Sequence, residues 1–330
     1  MRRNILVTGA TGKQGAAFIR ALQQLPTDDH YFVYAVTRDD ASPAAQHLAG
    51  IGENIVVVKG DLDMPDSISK IFEEAKSEGG IWGVFAVLAF PGLGADAGGE
   101  EAQGKMLADL ALQFGVSVFV YSSAMRAGPE YEDELTLSRR AKANIENYCI
   151  ELGTKGLPWV ILRPGFFMEN FDNFIGSVAA AVLRAGLNKS TTIGMIASDD
   201  IGHIGAGIFG NPERYKHKVL VAVSEFVTMS QLDEEHLQAT GKPIPAVPSA
   251  FGWLILKMNK ETQHLIASIE RNHSDRISGA YPSCDAEVSL ANSAYRMRTY
   301  YERTAQSKEE KNEARNWNQV SLWKLATGRA

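Results

Sequence analysis

Short apolar runs alternate with longer amphipathic stretches through the first half of the chain. Residues 4–8, 31–37, 54–58, 83–88, 116–122 and 159–162 are nearly continuous in Val, Ile, Leu, Phe and Tyr. Each run predicts a strand buried on both faces, as in a parallel sheet covered by helices. Between them, residues 13–25, 43–49, 66–76, 100–114 and 137–152 carry apolar side chains at helical spacing and predict helices. Strand–helix alternation of this kind predicts an α/β fold with a doubly wound parallel sheet over residues 1–165.

Beyond Pro164 the rhythm changes. Helical spacing recurs at residues 171–185, 199–209, 230–239, 251–272 and 286–303, and residues 218–223 read as one more strand that rejoins the main sheet. Pro243, Pro245 and Pro248 mark a stiff loop. The expectation is a smaller, mainly helical C-terminal cap lobe over residues 166–305, interleaved with the sheet and covering its cleft. Residues 306–330 form a tail: 307–315 are polar and charged, whereas 317–325 are faintly amphipathic, which leaves a frayed end or a docking segment open.

Composition narrows the function. The 330 residues are 45% hydrophobic and 22% charged, enough for a sizeable core. A net charge of −6 offers no basic footprint, so no direct nucleic-acid partner is expected. Cys149 and Cys284 lie far apart and outside any CxxC spacing, which predicts neither a disulfide framework nor a metal site. No apolar run approaches a membrane span, and the apolar run after Arg2 and Arg3 is too short for a signal peptide. A cytoplasmic protein with no membrane partner is expected, nuclear if its role is regulatory.

The first candidate chemistry lies between the first strand and the first helix, in Thr8-Gly9-Ala10-Thr11-Gly12-Lys13-Gln14-Gly15. Three glycines at this spacing allow a tight turn, close backbone approach to a pyrophosphate and close helix–strand packing; the phosphates then meet a helix N-terminus. This is the arrangement of a Rossmann dinucleotide-binding domain. The second strand ends in Thr37-Arg38, where NAD enzymes usually carry a carboxylate for the ribose 2′-hydroxyl. Arg38 suits a 2′-phosphate instead, and Lys13 adds positive charge, so NADP(H) is expected over NAD(H). Asp61 and Leu62, after the third strand, are candidates to flank the adenine, with Asp61 alternatively capping the next turn.

Short-chain dehydrogenases place a Tyr four residues before a Lys on one helical face, so that the ammonium eases proton transfer from the phenol. Here Lys142 is present and Ser138 stands at the tyrosine position. A serine hydroxyl is a poor acid near neutral pH. Ser122 and Ser123, after the fifth strand, are candidates to orient a carbonyl, and Tyr121, Tyr148 and His203 are weaker candidates for proton transfer. Phe166, Phe167, Phe171 and Phe174 are candidates for the floor of an apolar pocket.

The nucleotide loop, Thr37-Arg38, Gly60-Asp61-Leu62-Asp63, Gly104-Lys105-Met106-Leu107-Ala108-Asp109-Leu110-Ala111 and Arg163-Pro164-Gly165-Phe166-Phe167-Met168-Glu169-Asn170-Phe171 together resemble the NmrA-like family of atypical short-chain dehydrogenases. Asp199-Asp200-Ile201-Gly202 and Phe226-Val227-Thr228-Met229 extend the resemblance over about residues 4–240. It implies a cofactor lying along Gly9, Ala10, Thr11, Gly12, Lys13, Gln14, Gly15, Arg38, Asp61 and Leu62. The same cofactor would continue past Ala89, Phe90 and Pro91 to Lys142 and to Pro164, Gly165, Phe166 and Phe167. Family members include NADPH-dependent oxidoreductases of small-molecule biosynthesis and nucleotide-binding redox sensors or transcriptional co-regulators that act through a protein partner. Two expectations follow. One is reduction of a carbonyl or conjugated alkene of a small apolar substrate, with Lys142 holding the ribose and Ser122 or Ser123 orienting substrate. The alternative is a non-catalytic sensor, and a weaker third option is a scaffold with a vestigial nucleotide site.

Overall fold

The computed structural model describes residues 2–25, 31–92, 94–279 and 300–304. Through the first half, strands and helices alternate as β1 (Arg3–Val7), α1 (Lys13–Leu22), β2 (Tyr31–Thr37), α2 (Pro43–Ala49), β3 (Ile55–Lys59), α3 (Pro65–Ala75), β4 (Gly83–Ala86), α4 (Gly98–Gln113), β5 (Val118–Ser122), α5 (Leu137–Gly153) and β6 (Trp159–Pro164). The second half adds β7 (Phe166–Phe167), α6 (Asn173–Gly186), β8 (Thr192–Ile196), α7 (Ser198–Gly210), α8 (Pro212–Tyr215), β9 (Lys218–Ala222), β10 (Glu225–Thr228), α9 (Met229–Thr240), α10 (Ser249–Met258) and α11 (Lys260–Ser278).

The main sheet runs β3-β2-β1-β4-β5-β6-β9, and every pairing in it is parallel. Its strands read as continuous apolar runs because both faces are covered. On one face Ile5, Val7 and Phe85 pack with Phe18 of α1 and Ile204 and Phe209 of α7. On the other, Leu6, Val84 and Phe119 pack with Phe72 of α3, Leu107 of α4 and Ile145 of α5. Strand order reverses between β1 and β4, and ligands of such sheets bind in the crevice where it does. The predicted strand at 218–223 joins the sheet beside β6. Helix α7 also packs on this body, against α1, although it lies beyond residue 165.

The cap departs from the sequence expectation in three respects. It holds a second sheet, β10-β8-β7, which the helical reading missed. The three strands are only four, five and two residues long, too short for a periodicity to emerge. The helix expected over 251–272 is two helices, α10 and α11. Asn259 sits between them in an extended conformation (φ −113°, ψ 110°), and its side chain accepts the Thr262 amide at 3.0 Å. Helix α11 is tied to the small sheet: Glu270 accepts the Thr191 hydroxyl at 2.7 Å, and His273 contacts the Thr192 amide at 3.1 Å. The stretch expected to be helical from 171 begins instead as a tight turn over Met168–Phe171 before α6. Most of the helix expected over 286–303, and the tail, lie outside the described residues. Among those described, no helix is long and apolar enough to cross a membrane.

Candidate functional site

The loop between β1 and α1 is locked from both sides. The Thr8 hydroxyl donates to the Val87 carbonyl at 2.9 Å and accepts the Val87 amide at 3.0 Å, tying β1 to the segment after β4. Gly9 turns the chain at φ +59°, a region that L side chains rarely adopt. The Gly12 amide returns to the Gly9 carbonyl at 2.9 Å. A Cβ on Gly15 would lie 2.4 Å from the Gly9 oxygen, so the first turn of α1 sits directly on the loop. Gly12 precedes that helix and supplies no capping side chain. The amides of Lys13, Gln14 and Gly15 therefore open an N-terminus that favours an anion. Gln14 in turn accepts the Ser122 hydroxyl at 2.7 Å, which joins the loop to the end of β5.

The other predicted positions line the same carboxyl edge of the sheet. Arg38, directly after β2, is exposed and has no hydrogen-bond or ion-pair partner among the described residues. The Thr37 hydroxyl interacts with the backbone of Asp39. Asp61 caps its own turn, accepting the Asp63 amide at 3.1 Å, which is the second of the two roles open to it, and half-buried Leu62 packs on the core. Ala89 and Phe90 are exposed beyond β4, and Pro91 is half-buried. Lys13 lies 3.7 Å from Asp172 at the start of the cap. Pro164 ends β6, Gly165 donates to Ala222 at 2.9 Å, and Phe166 and Phe167 form β7 against Met195 and Ile196. Positions scattered over the sequence thus lie at the carboxyl end of one sheet.

Around the expected catalytic positions the structure adds two acids that sequence reasoning missed. Lys142 forms an ion pair with Glu100, and the Ser138 hydroxyl donates to the second oxygen of the same carboxylate at 2.5 Å. Ser123 donates at 2.5 Å to Glu146, a fully buried acid that also pairs with Arg163 at 2.6 Å and Arg126 at 3.0 Å. The Ser123 hydroxyl is therefore committed to that network, whereas Ser122 sits against the nucleotide loop. No local pattern announces Glu100 or Glu146, since each meets its partners through packing between separate elements.

The weaker candidates are buried or engaged elsewhere. Tyr121 is buried, and burial together with Glu100 and Glu146 pushes its phenol well above the ordinary value. Tyr148 donates to Asp109 at 2.7 Å, which with partial burial raises its phenol to about 12. His203 contacts Gln24 at 3.3 Å. The four phenylalanines do not converge: Phe171 belongs to the cap core and meets Phe166 at 5.7 Å between ring centroids, Phe167 packs on the main core and Phe174 is exposed. Burial drives the Cys149 thiol up to about 12, so it is a packing residue. A pocket also lies between the segment after β5 and α11, lined by Arg126, Tyr131, Thr136, Arg139, His264 and Ser268, among others.

The profile of the NmrA-like family matches residues 1–270. The NmrA-like family domain-containing oxidoreductase ptmS of Penicillium ochrochloron is 29% identical over 272 residues, covering 76% of this chain and 77% of that protein. Its counterpart FrzB of a Cladobotryum species is 30% identical over 271 residues, covering 74% and 76%. Among solved structures, NmrA, a negative transcriptional regulator, superposes in its complexes with NADP and NAD at TM-scores of 0.67 and 0.66. Those alignments are 19% and 20% identical and cover 94% of this chain and 97% of the other, a likeness of fold. The chain has a Rossmann-type fold and belongs to the NmrA-like family.

Proposed function

We propose that this protein is an NADP(H)-dependent oxidoreductase that reduces a carbonyl or conjugated alkene of a small apolar substrate in small-molecule biosynthesis. The observation that carries the reading is the loop after β1: a backbone cradle closed on Gly9 and Gly15 opens on an uncapped helix N-terminus, with Arg38, unpartnered among the described residues, on the same edge of the sheet. Those features suit a pyrophosphate and a 2′-phosphate. The oxidoreductase names of the matched relatives support the same reading.

In this reading the amides of Lys13, Gln14 and Gly15 bind pyrophosphate and Arg38 pairs with the 2′-phosphate. Leu62 and the segment Ala89, Phe90 and Pro91 border the adenosine and the central crevice. Pro164, Gly165, Phe166 and Phe167 would back the nicotinamide, which supplies a hydride when the cofactor is bound. Lys142 would donate hydrogen bonds to the adjoining ribose hydroxyls and polarise the site, and water would supply the proton that the reduced substrate takes up. Ser122, fixed by Gln14, would orient the substrate carbonyl. The enzyme would work in the cytoplasm. Turnover of NADPH with a panel of apolar ketones, quinones and enones tests the reading. It predicts oxidation with at least one member, abolished by Lys142→Met.

A second reading, a non-catalytic redox sensor or co-regulator, rests on α10. There Phe251, Trp253 and Met258 are 61%, 54% and 66% exposed, an apolar face suited to a protein partner. Nucleotide binding without turnover of any panel member would favour it.

A further inference from the structure

We propose that Glu100 is the positioning residue for Lys142, so that Ser138, Glu100 and Lys142 act as one unit where short-chain dehydrogenases carry a Tyr–Lys pair. The inference rests on the cofactor reading above and deepens it.

The geometry begins with two helices. Ser138 and Lys142 are four residues apart on α5 and share a face. Glu100 lies in the first turn of α4, which packs alongside. The approach is made possible one turn further on, where a Cβ on Gly104 would lie 2.5 Å from Ile145 of α5. With the helices this close, one carboxylate reaches both side chains of the pair: Lys142 on one oxygen, Ser138 on the other. The Glu100 side chain is 1% exposed and that of Lys142 15% exposed.

Physical chemistry separates this arrangement from a packing accident. A lysine side chain is a flexible four-carbon stem whose ordering costs rotamer entropy. Near a cofactor it is useful only if its ammonium is held in one place. A carboxylate gripped by Ser138 is a fixed anchor, and an ammonium has three donors, so binding to Glu100 leaves two for ribose hydroxyls. A buried ion pair contributes little net stability compared with apolar side chains of the same volume. Its value therefore lies in specifying a position. Ser138 also gains a role that its poor acidity denied it: it clamps the anchor.

The test is the NADPH dissociation constant, measured by titration calorimetry on the full chain and its variants. Lys142→Met should weaken binding by about tenfold, and Glu100→Gln by about fivefold. In the Lys142→Met background, Glu100→Gln should change affinity by less than about twofold, because the two residues act through one contact. Glu100→Asp keeps the charge but shortens the side chain, and it should bind NADPH more tightly than Glu100→Gln. A space-filling role predicts the opposite order, since glutamine is the closer match in shape. Ser138→Ala, which leaves the ion pair in place, should weaken binding by about twofold to threefold and decides the matter if Glu100→Gln fails to fold. The proposal is overturned if Glu100→Gln has the same effect with and without Lys142, if glutamine outperforms aspartate, or if Ser138→Ala has no effect. A wild-type protein without NADPH affinity would instead overturn the cofactor reading and this inference with it.

Discussion

A methyl group on Gly15 would sit 2.4 Å from the Gly9 carbonyl oxygen, closer than any real contact of that kind. Gly15→Ala must therefore push α1 away from the loop. The expected cost is about 1–3 kcal/mol in chemical denaturation, together with loss of nucleotide binding. Arg38 is the residue on which cofactor choice is staked. Exchanging a charge-assisted phosphate contact worth about 1.5–3 kcal/mol for a carboxylate should weaken NADPH about tenfold to a hundredfold relative to NADH. An unchanged preference in Arg38→Asp would remove Arg38 from the site. Glu169 makes a different prediction. One oxygen accepts the Ser198 amide at 2.8 Å, the other is buried with no partner among the described residues, and burial holds the carboxyl above its ordinary range. Between the ordinary value and the raised one, the native protein keeps a proton that the unfolded chain has released, so stability falls as pH rises through that window. Glu169→Gln should flatten this part of the Tm-against-pH curve, and an unaltered slope would show that the residue does not contribute. At this scale the sequence is most legible where backbone conformation or close approach demands a residue type, at Gly9 and Gly15. It was silent on Glu100 and Glu146, whose partners arrive from other elements.

Among the elements, the pairing of α4 with α5 is the one on which the proposed role of Glu100 depends. Gly104→Ala would drive a methyl group into Ile145, and about 1–3 kcal/mol of destabilisation is expected. Because the same contact brings Glu100 to Lys142, the variant should also lose NADPH affinity even at temperatures where it remains folded. The α10–α11 junction supplies a purely structural counterpart. Asn259→Ala removes the cap on the Thr262 amide and should cost about 0.5–2 kcal/mol in urea denaturation, with nucleotide affinity unchanged. The main strands were readable from their apolar runs because burial on both faces leaves an unbroken signal. The cap sheet was not, because β7 contributes only Phe166 and Phe167, and its pairing with β8 depends on the chain first passing through α6. Apolar spacing on both sides of Asn259 ran on across the junction, and only a capping residue marked the break.

For the molecule as a whole, the parallel sheet and its reversal between β1 and β4 place the glycine loop, Arg38, Ser122 and the Pro164–Phe167 stretch at one carboxyl edge. Alternating sequence patterns were enough to predict this body, since each βαβ unit is a local instruction repeated along the chain. The arrangement of the cap over that edge is set by long-range packing and could not be read in the same way. The central claim is that this edge holds NADP(H), and titration calorimetry of the purified protein with NADPH, NADP⁺, NADH and NAD⁺ tests it most directly. Binding of NADPH and NADP⁺ should be saturable and at least about tenfold tighter than that of NADH and NAD⁺, which lack the 2′-phosphate. Equal affinity for both pairs would contradict the role of Arg38, and no binding of any of the four would contradict the claim itself.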